Sequence, residues 1–140
     1  LMSLLSVPDM LGEAISGVTE SPFLILMIMA VILILSGMFL ESIAQIILLT
    51  PLMLPIVANL GVDPIVFGIL MVISCEIGFL TPPVGVNLFV AARITNLGVD
   101  RISIAVIPFL LAYVVVLIII SAFPDLVTFL PNLFYGKYQY

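Results

Sequence analysis

The stretch Glu76-Ile77-Gly78-Phe79-Leu80-Thr81-Pro82-Pro83-Val84-Gly85-Val86-Asn87 sets helix-breaking residues inside an otherwise apolar run. Pro82 and Pro83 bring no amide hydrogen, and each ring clashes with the carbonyl four residues earlier, so a helix entering at Ile65 cannot pass Thr81 unbroken. Within lipid, such a break strands backbone groups that are costly unless protein, water or an ion satisfies them. A break here therefore implies a lined cavity, the arrangement from which secondary transporters build substrate and ion sites near the bilayer midplane. The competing reading is a proline-kinked helix or a loop at the membrane surface. Thr81, Ser36, Asn87 and Thr50 supply neutral oxygens, and the break frees carbonyls near residues 78–82. Such a set suits sodium at least as well as a proton. The first turn of a helix over 86–94 would point the positive end of its dipole into the same cavity, where a substrate carboxylate would sit.

Two carboxylates, Glu41 and Glu76, stand in apolar runs, where an ionisable group is expensive and a functional candidate by default. Either would serve proton coupling if buried; the plainer reading puts one or both at a helix end in water. Arg93, two turns beyond Val86, reads as an interface anchor whose stem covers apolar surface while its head reaches water. The chain has no His, which excludes His-based metal sites and Ser-His or Cys-His pairs. A single cysteine, Cys75, excludes an intrachain disulfide or thiolate cluster. A net charge of -5 with three basic residues offers no cationic surface for nucleic acid. An intramembrane acid–base enzyme built on the two glutamates, or a subunit that only packs other membrane helices, are the alternatives to a carrier.

Hydrophobic residues make up 64% of the chain and charged ones 8%, far from soluble domains, so the expected class is an all-α integral membrane protein. Residues 1–22 are too polar to span and read as an interfacial connecting segment. Over 23–60, two apolar arms of about 18 residues, roughly 27 Å each as helix, flank Glu41 and fall slightly short of a hydrocarbon core of about 30 Å. They form either two short spans or a re-entrant helical hairpin with its tip at Ser36-Gly37-Met38-Phe39-Leu40-Glu41. The tip carries no Asn-Gly, Asp-Gly or Lys/Arg cluster of the kind a solvated loop commonly shows, which favours the hairpin. Asp63 and Pro64 read as the N-cap and first residue of a discontinuous helix over 64–94, broken at 81–85. Residues 95–101 read as a loop, 102–123 as a transmembrane helix, and 124–140 as a tail with interfacial aromatics and a disordered end. Arg93 and Arg101 place the 95–101 loop in the cytoplasm, with the tail and both hairpin ends outside. The start at Leu1, with no signal peptide in order, suggests the C-terminal part of a longer chain.

The ordered series Gly37-Met38-Phe39-Leu40-Glu41, Leu49-Thr50-Pro51, Leu54-Pro55, Gly61-Val62-Asp63-Pro64, Glu76-Ile77-Gly78, Thr81-Pro82-Pro83-Val84-Gly85 and Asn87-Leu88-Phe89-Val90 resembles the large membrane subunit, DctM type, of tripartite ATP-independent periplasmic (TRAP) transporters. The similarity covers nearly the whole chain and corresponds to that subunit's C-terminal repeat. The resemblance implies a multi-pass sodium-coupled elevator carrier of the bacterial inner membrane. It would import organic acids such as C4-dicarboxylates, delivered by a periplasmic substrate-binding protein, and work with a small membrane subunit. Sodium is the implied coupling ion, with no other cofactor. This chain would be one half of an inverted-repeat transporter, its partner repeat lying elsewhere. The implied ion and substrate residues are Ser36, Gly37 and Met38 at the hairpin tip and Gly78, Thr81, Pro82, Pro83, Gly85 and Asn87 at the break. Glu41 and Glu76 stand beside them as possible tuning residues. Ser74 stands where the family pattern carries Asn, keeping an oxygen and losing the amide.

Overall fold

A computed structural model describes residues 21–135, and what was expected of residues 1–20 and 136–140 lies outside them. Six helices follow one another: α1 (Pro22–Gly37), α2 (Ser42–Asn59), α3 (Pro64–Leu80), α4 (Val86–Thr95), α5 (Val99–Ala122) and α6 (Asp125–Tyr135). Two are long and apolar enough to cross a membrane, α2 and α5. At 1.5 Å per residue α1 and α3 extend only about 24–26 Å, short of a typical hydrocarbon core.

The helix starts follow local chemistry. Pro22 and Pro64 occupy first-turn positions, where a missing amide hydrogen is no loss. Asp63 caps α3 as expected, its Oδ1 accepting from the Ile65 amide at 2.8 Å. Gly61, just past α2, has φ +67°, and no side chain would be comfortable there.

The core is the seam between α1 and α3, the most extensive helix contact among the described residues. Ile25, Leu26, Met29, Ala30 and Leu33 of α1 and Phe67, Leu70, Met71, Cys75 and Ile77 of α3 are all buried in it. Each set repeats every three or four residues, which puts it on one helix face. Lipid tails are as apolar as these side chains, so hydrophobic transfer does little to hold two helices together in a bilayer. Close van der Waals packing has to do so, and the seam ends in small residues (Gly37, Ser74, Gly78) that let the backbones meet.

The C-terminal ends of α1 and α3 coincide there, and two helices that also share their main contact must run side by side in the same direction. The intervening α2 therefore returns between them. It touches α1 much less than α3 does, so the two arms over 23–60 are joined mainly near their turn. α5 packs on both α3 and α4, and its outer face presents Ile104, Phe109, Leu111 and Val115.

Two stretches differ from expectation. The loop expected over 95–101 shrinks to residues 96–98, because Asn96 closes α4 in the left-handed region at φ +55° and α5 already begins at Val99. Asp100 in the first turn of α5 complements the helix dipole there. Part of the expected tail is helical. Leu126, Phe129, Leu130 and Leu133 recur at helical spacing in α6, which continues through Pro131.

Candidate functional site

Three chain segments converge where α1 and α3 end. The first is the last turn of α1, Ile34 to Gly37. A methyl group at Gly78 would stand 2.7 Å from the Gly37 carbonyl carbon and 2.8 Å from the Ile34 carbonyl oxygen, so only glycine fits at 78. A methyl at Gly37 would meet Cys75 Cα and the Cys75 carbonyl oxygen at 3.4 Å and Gln45 Oε1 at 3.2 Å. The tip and the end of α3 thus touch backbone to backbone, which brings the Gly37 and Gly78 of the sequence reading into contact.

The second segment is the break itself, residues 81–85, with a cis peptide between Pro82 and Pro83. The prolines remove the amides that Gly78 and Phe79 carbonyls would otherwise receive. Gly78 O recovers a partner from the Thr81 amide at 3.1 Å. Phe79 O recovers no such amide and is directed at Gly85, where a Cβ would lie 2.6 Å from it and 3.0 Å from Thr81 O. Thr81 O accepts from the Gly85 amide at 3.0 Å, which closes the turn, and Gly85 then opens α4. The Thr81 hydroxyl donates to Ile77 O, so its oxygen keeps lone pairs for another partner.

The third segment is the start of α2, which supplies a residue the sequence reading passed over. Gln45 is fully buried, and its Nε2 donates to Leu33 O at 2.7 Å and to Ser36 Oγ at 2.9 Å. Ser36 Oγ donates in turn to Leu33 O at 3.0 Å. A lone amide four residues into an apolar helix, facing a serine across a four-residue turn, was the available signal. Gln45 Oε1 and Ser74 Oγ are the buried side-chain atoms without a hydrogen-bond partner among the described residues.

Other expected residues lie differently. Met38 is half-buried and caps α1, its amide donating to Ile34 O at 3.2 Å. Asn87 is exposed in the first turn of α4, beside the break. Thr50 belongs elsewhere, its hydroxyl meeting Met71 Sδ at 3.4 Å between α2 and α3. Glu41 is exposed at the start of α2 and Glu76 is half-buried on α3. Arg93 is exposed in the last turn of α4, away from the break. No cluster of three or more acidic, His or Cys residues suited to a metal occurs among the described residues. The chemistry of the site is that of backbone carbonyls and hydroxyls around two helix ends and two helix starts.

Known proteins match this chain over most of its length. The family described as "Tripartite ATP-independent periplasmic transporter, DctM component" matches residues 1–126. An isethionate TRAP transporter permease protein, DctMQ, of Oleidesulfovibrio alaskensis is 42% identical over 129 residues, 92% of this chain and 20% of the relative. The C4-dicarboxylate TRAP transporter large permease protein DctM of Rhodobacter capsulatus is 35% identical, covering 95% of this chain and 30% of its own length. The sialic acid large permease SiaM of Vibrio cholerae is 32% identical, covering 95% and 31%. The chain thus spans less than a third of each of these relatives, whose named substrates differ.

Proposed function

The chain belongs to the DctM component family of TRAP transporters, a family of membrane permeases and not of enzymes, and from that premise we propose that it forms the C-terminal transport repeat of a large permease subunit. In this reading the whole subunit sits in a bacterial inner membrane with a small membrane subunit, receives an organic acid from a periplasmic binding protein, and moves it inward by an elevator motion coupled to sodium. The observation that carries the reading is the meeting of the α1 tip with the α3–α4 break, where Gly78 packs on Gly37 and Phe79 O lies beside Gly85. Sodium takes several oxygens at close range, and an unbroken helix offers few because its carbonyls already accept from the amide four residues on. Thr81 Oγ1 and Phe79 O are the oxygens we assign to it, since Thr81 O already accepts from the Gly85 amide.

The same placement supports a re-entrant hairpin. The tip meets the end of α3 at the break, and α5 packs on both α3 and α4, as it would if α4 carried the chain onward past the tip. The turn at 38–41 then stops at membrane depth, with its ends on the periplasmic side. The expected labelling pattern follows. A cysteine in place of Met38, in a Cys75→Ser background of the outward-facing carrier, resists impermeant thiol reagents added from the cytoplasmic side. Ready labelling from that side in that state would instead mean two full spans.

Glu76 is assigned a tuning role, because neutral oxygens and carbonyls make up the nearby break. The function is tested with the full-length carrier and both partners in proteoliposomes, each cognate acid being supplied on its binding protein. An inward sodium gradient should drive uptake above the outside concentration, and the Glu76→Gln variant should retain most of that uptake. Accumulation driven by a proton gradient without sodium, and lost in Glu76→Gln, would transfer the coupling role to a protonated carboxylate.

A further inference from the structure

We propose that Gln45 is the positioning residue of the tip: its amide ties the start of α2 to the last turn of α1 and so holds Gly37 against Gly78. The structure puts the whole donor capacity of one buried side chain on this joint. Nε2 has two hydrogens, and both are used, at 2.7 Å to Leu33 O and at 2.9 Å to Ser36 Oγ. Neither a hydroxyl nor a shorter amide at the same backbone position reaches both acceptors. Gln45 Oε1 meanwhile packs 3.2 Å from where a Gly37 side chain would begin, so the amide plane also walls one side of the glycine contact.

The joint matters because little else binds the two arms. α1 and α2 share only a small contact, and the turn between them is made of backbone bonds local to residues 34–41. Packing of α1 on α3 fixes the helix axis, but the last turn of a helix frays unless its terminal carbonyls are held. Leu33 O is held by Gln45 and Ser36 together. Removing the amide leaves that carbonyl with its bonds from within α1 alone and unties the turn that carries Gly37 from the start of α2.

Cys75 reports on the joint directly. It is 2% exposed and its backbone lines the Gly37 contact, so its thiol is shielded while the tip is seated. The experiment uses the full-length carrier with its partners and with Cys75 as its sole cysteine, and reads the rate of alkylation by N-ethylmaleimide together with uptake against external sodium. Gln45→Met, which keeps the volume and removes the amide, should raise the Cys75 alkylation rate about tenfold, in line with the loss of buried hydrogen bonds. Gln45→Asn, one methylene too short, should do the same, which covers the case in which the methionine variant does not reach the membrane. Ser36→Ala keeps the 2.7 Å bond to Leu33 O and should change the rate by about twofold or less. An alkylation rate equal to the parent's in both Gln45 variants would overturn the proposal. The sodium readout rests on the function proposed above and separates the two claims. A faster alkylation with a raised sodium requirement supports both. A faster alkylation with unchanged sodium dependence supports the role of Gln45 and shows that ion binding does not depend on the seating of the tip.

Discussion

Replacing Gly78 with alanine should reduce uptake by the full-length carrier about tenfold or more, the consequence of a backbone contact that cannot yield as a side chain would. The added methyl group would lie 2.7 Å and 2.9 Å from the carbonyl carbon and Cα of Gly37, so α1 and α3 must separate at the point where the site is built. The control lies nearly three turns away on the same helix. Gly68 is exposed and has open space where its Cβ would be, so Gly68→Ala should transport normally and gain slightly in helix propensity. Uptake corrected for the amount of carrier in the membrane distinguishes the two, and normal transport by Gly78→Ala would show that the glycine contact is not needed.

The second large effect concerns the prolines. Pro82→Ala with Pro83→Ala restores the amides that Gly78 and Phe79 carbonyls lack, and lets α3 run on into α4 as one helix. Phe79 O would then accept from the residue 83 amide and turn away from Gly85. We expect a well-folded protein, because each substitution replaces a helix breaker with the best helix former. Its sodium-driven uptake should fall to near background, since Phe79 O, assigned to the ion, is drawn back into a helical bond. A single substitution should do less damage, as the remaining proline still interrupts the hydrogen-bond ladder.

The break was legible in the sequence because proline acts locally: two missing amides at 82 and 83 end a helix whatever packs around it. The N-cap at Asp63 was legible for the same reason, since the capping oxygen and its amide are two residues apart. What the tip touches was not. The contact of Gly37 with Gly78 joins residues far apart in the chain, and a glycine kept small by a neighbouring backbone reads in sequence like any other glycine. The Gln45 joint escaped for a related reason, because a single amide in an apolar run gains meaning only once the turn places Ser36 opposite it. α6 was not legible because the aromatics beyond Phe123 read as an interfacial tail, while the apolar spacing of Leu126, Phe129, Leu130 and Leu133 is helical. Glu41 and Glu76 drew notice as charges in apolar runs, and the structure leaves the first exposed and the second only half-buried.

Whether the break binds sodium is decided most directly by uptake measured against external sodium for Thr81 variants of the full-length carrier with its partners. Thr81→Ala removes the side-chain oxygen assigned to the ion while leaving both prolines in place, so the break survives and the ion loses a ligand. The sodium concentration for half-maximal uptake should rise about tenfold, as expected for the loss of one polar contact to a charge. Thr81→Ser keeps the oxygen and should behave like the parent. An unchanged sodium dependence in Thr81→Ala and in the double proline variant alike would contradict the account and place the ion elsewhere in the carrier.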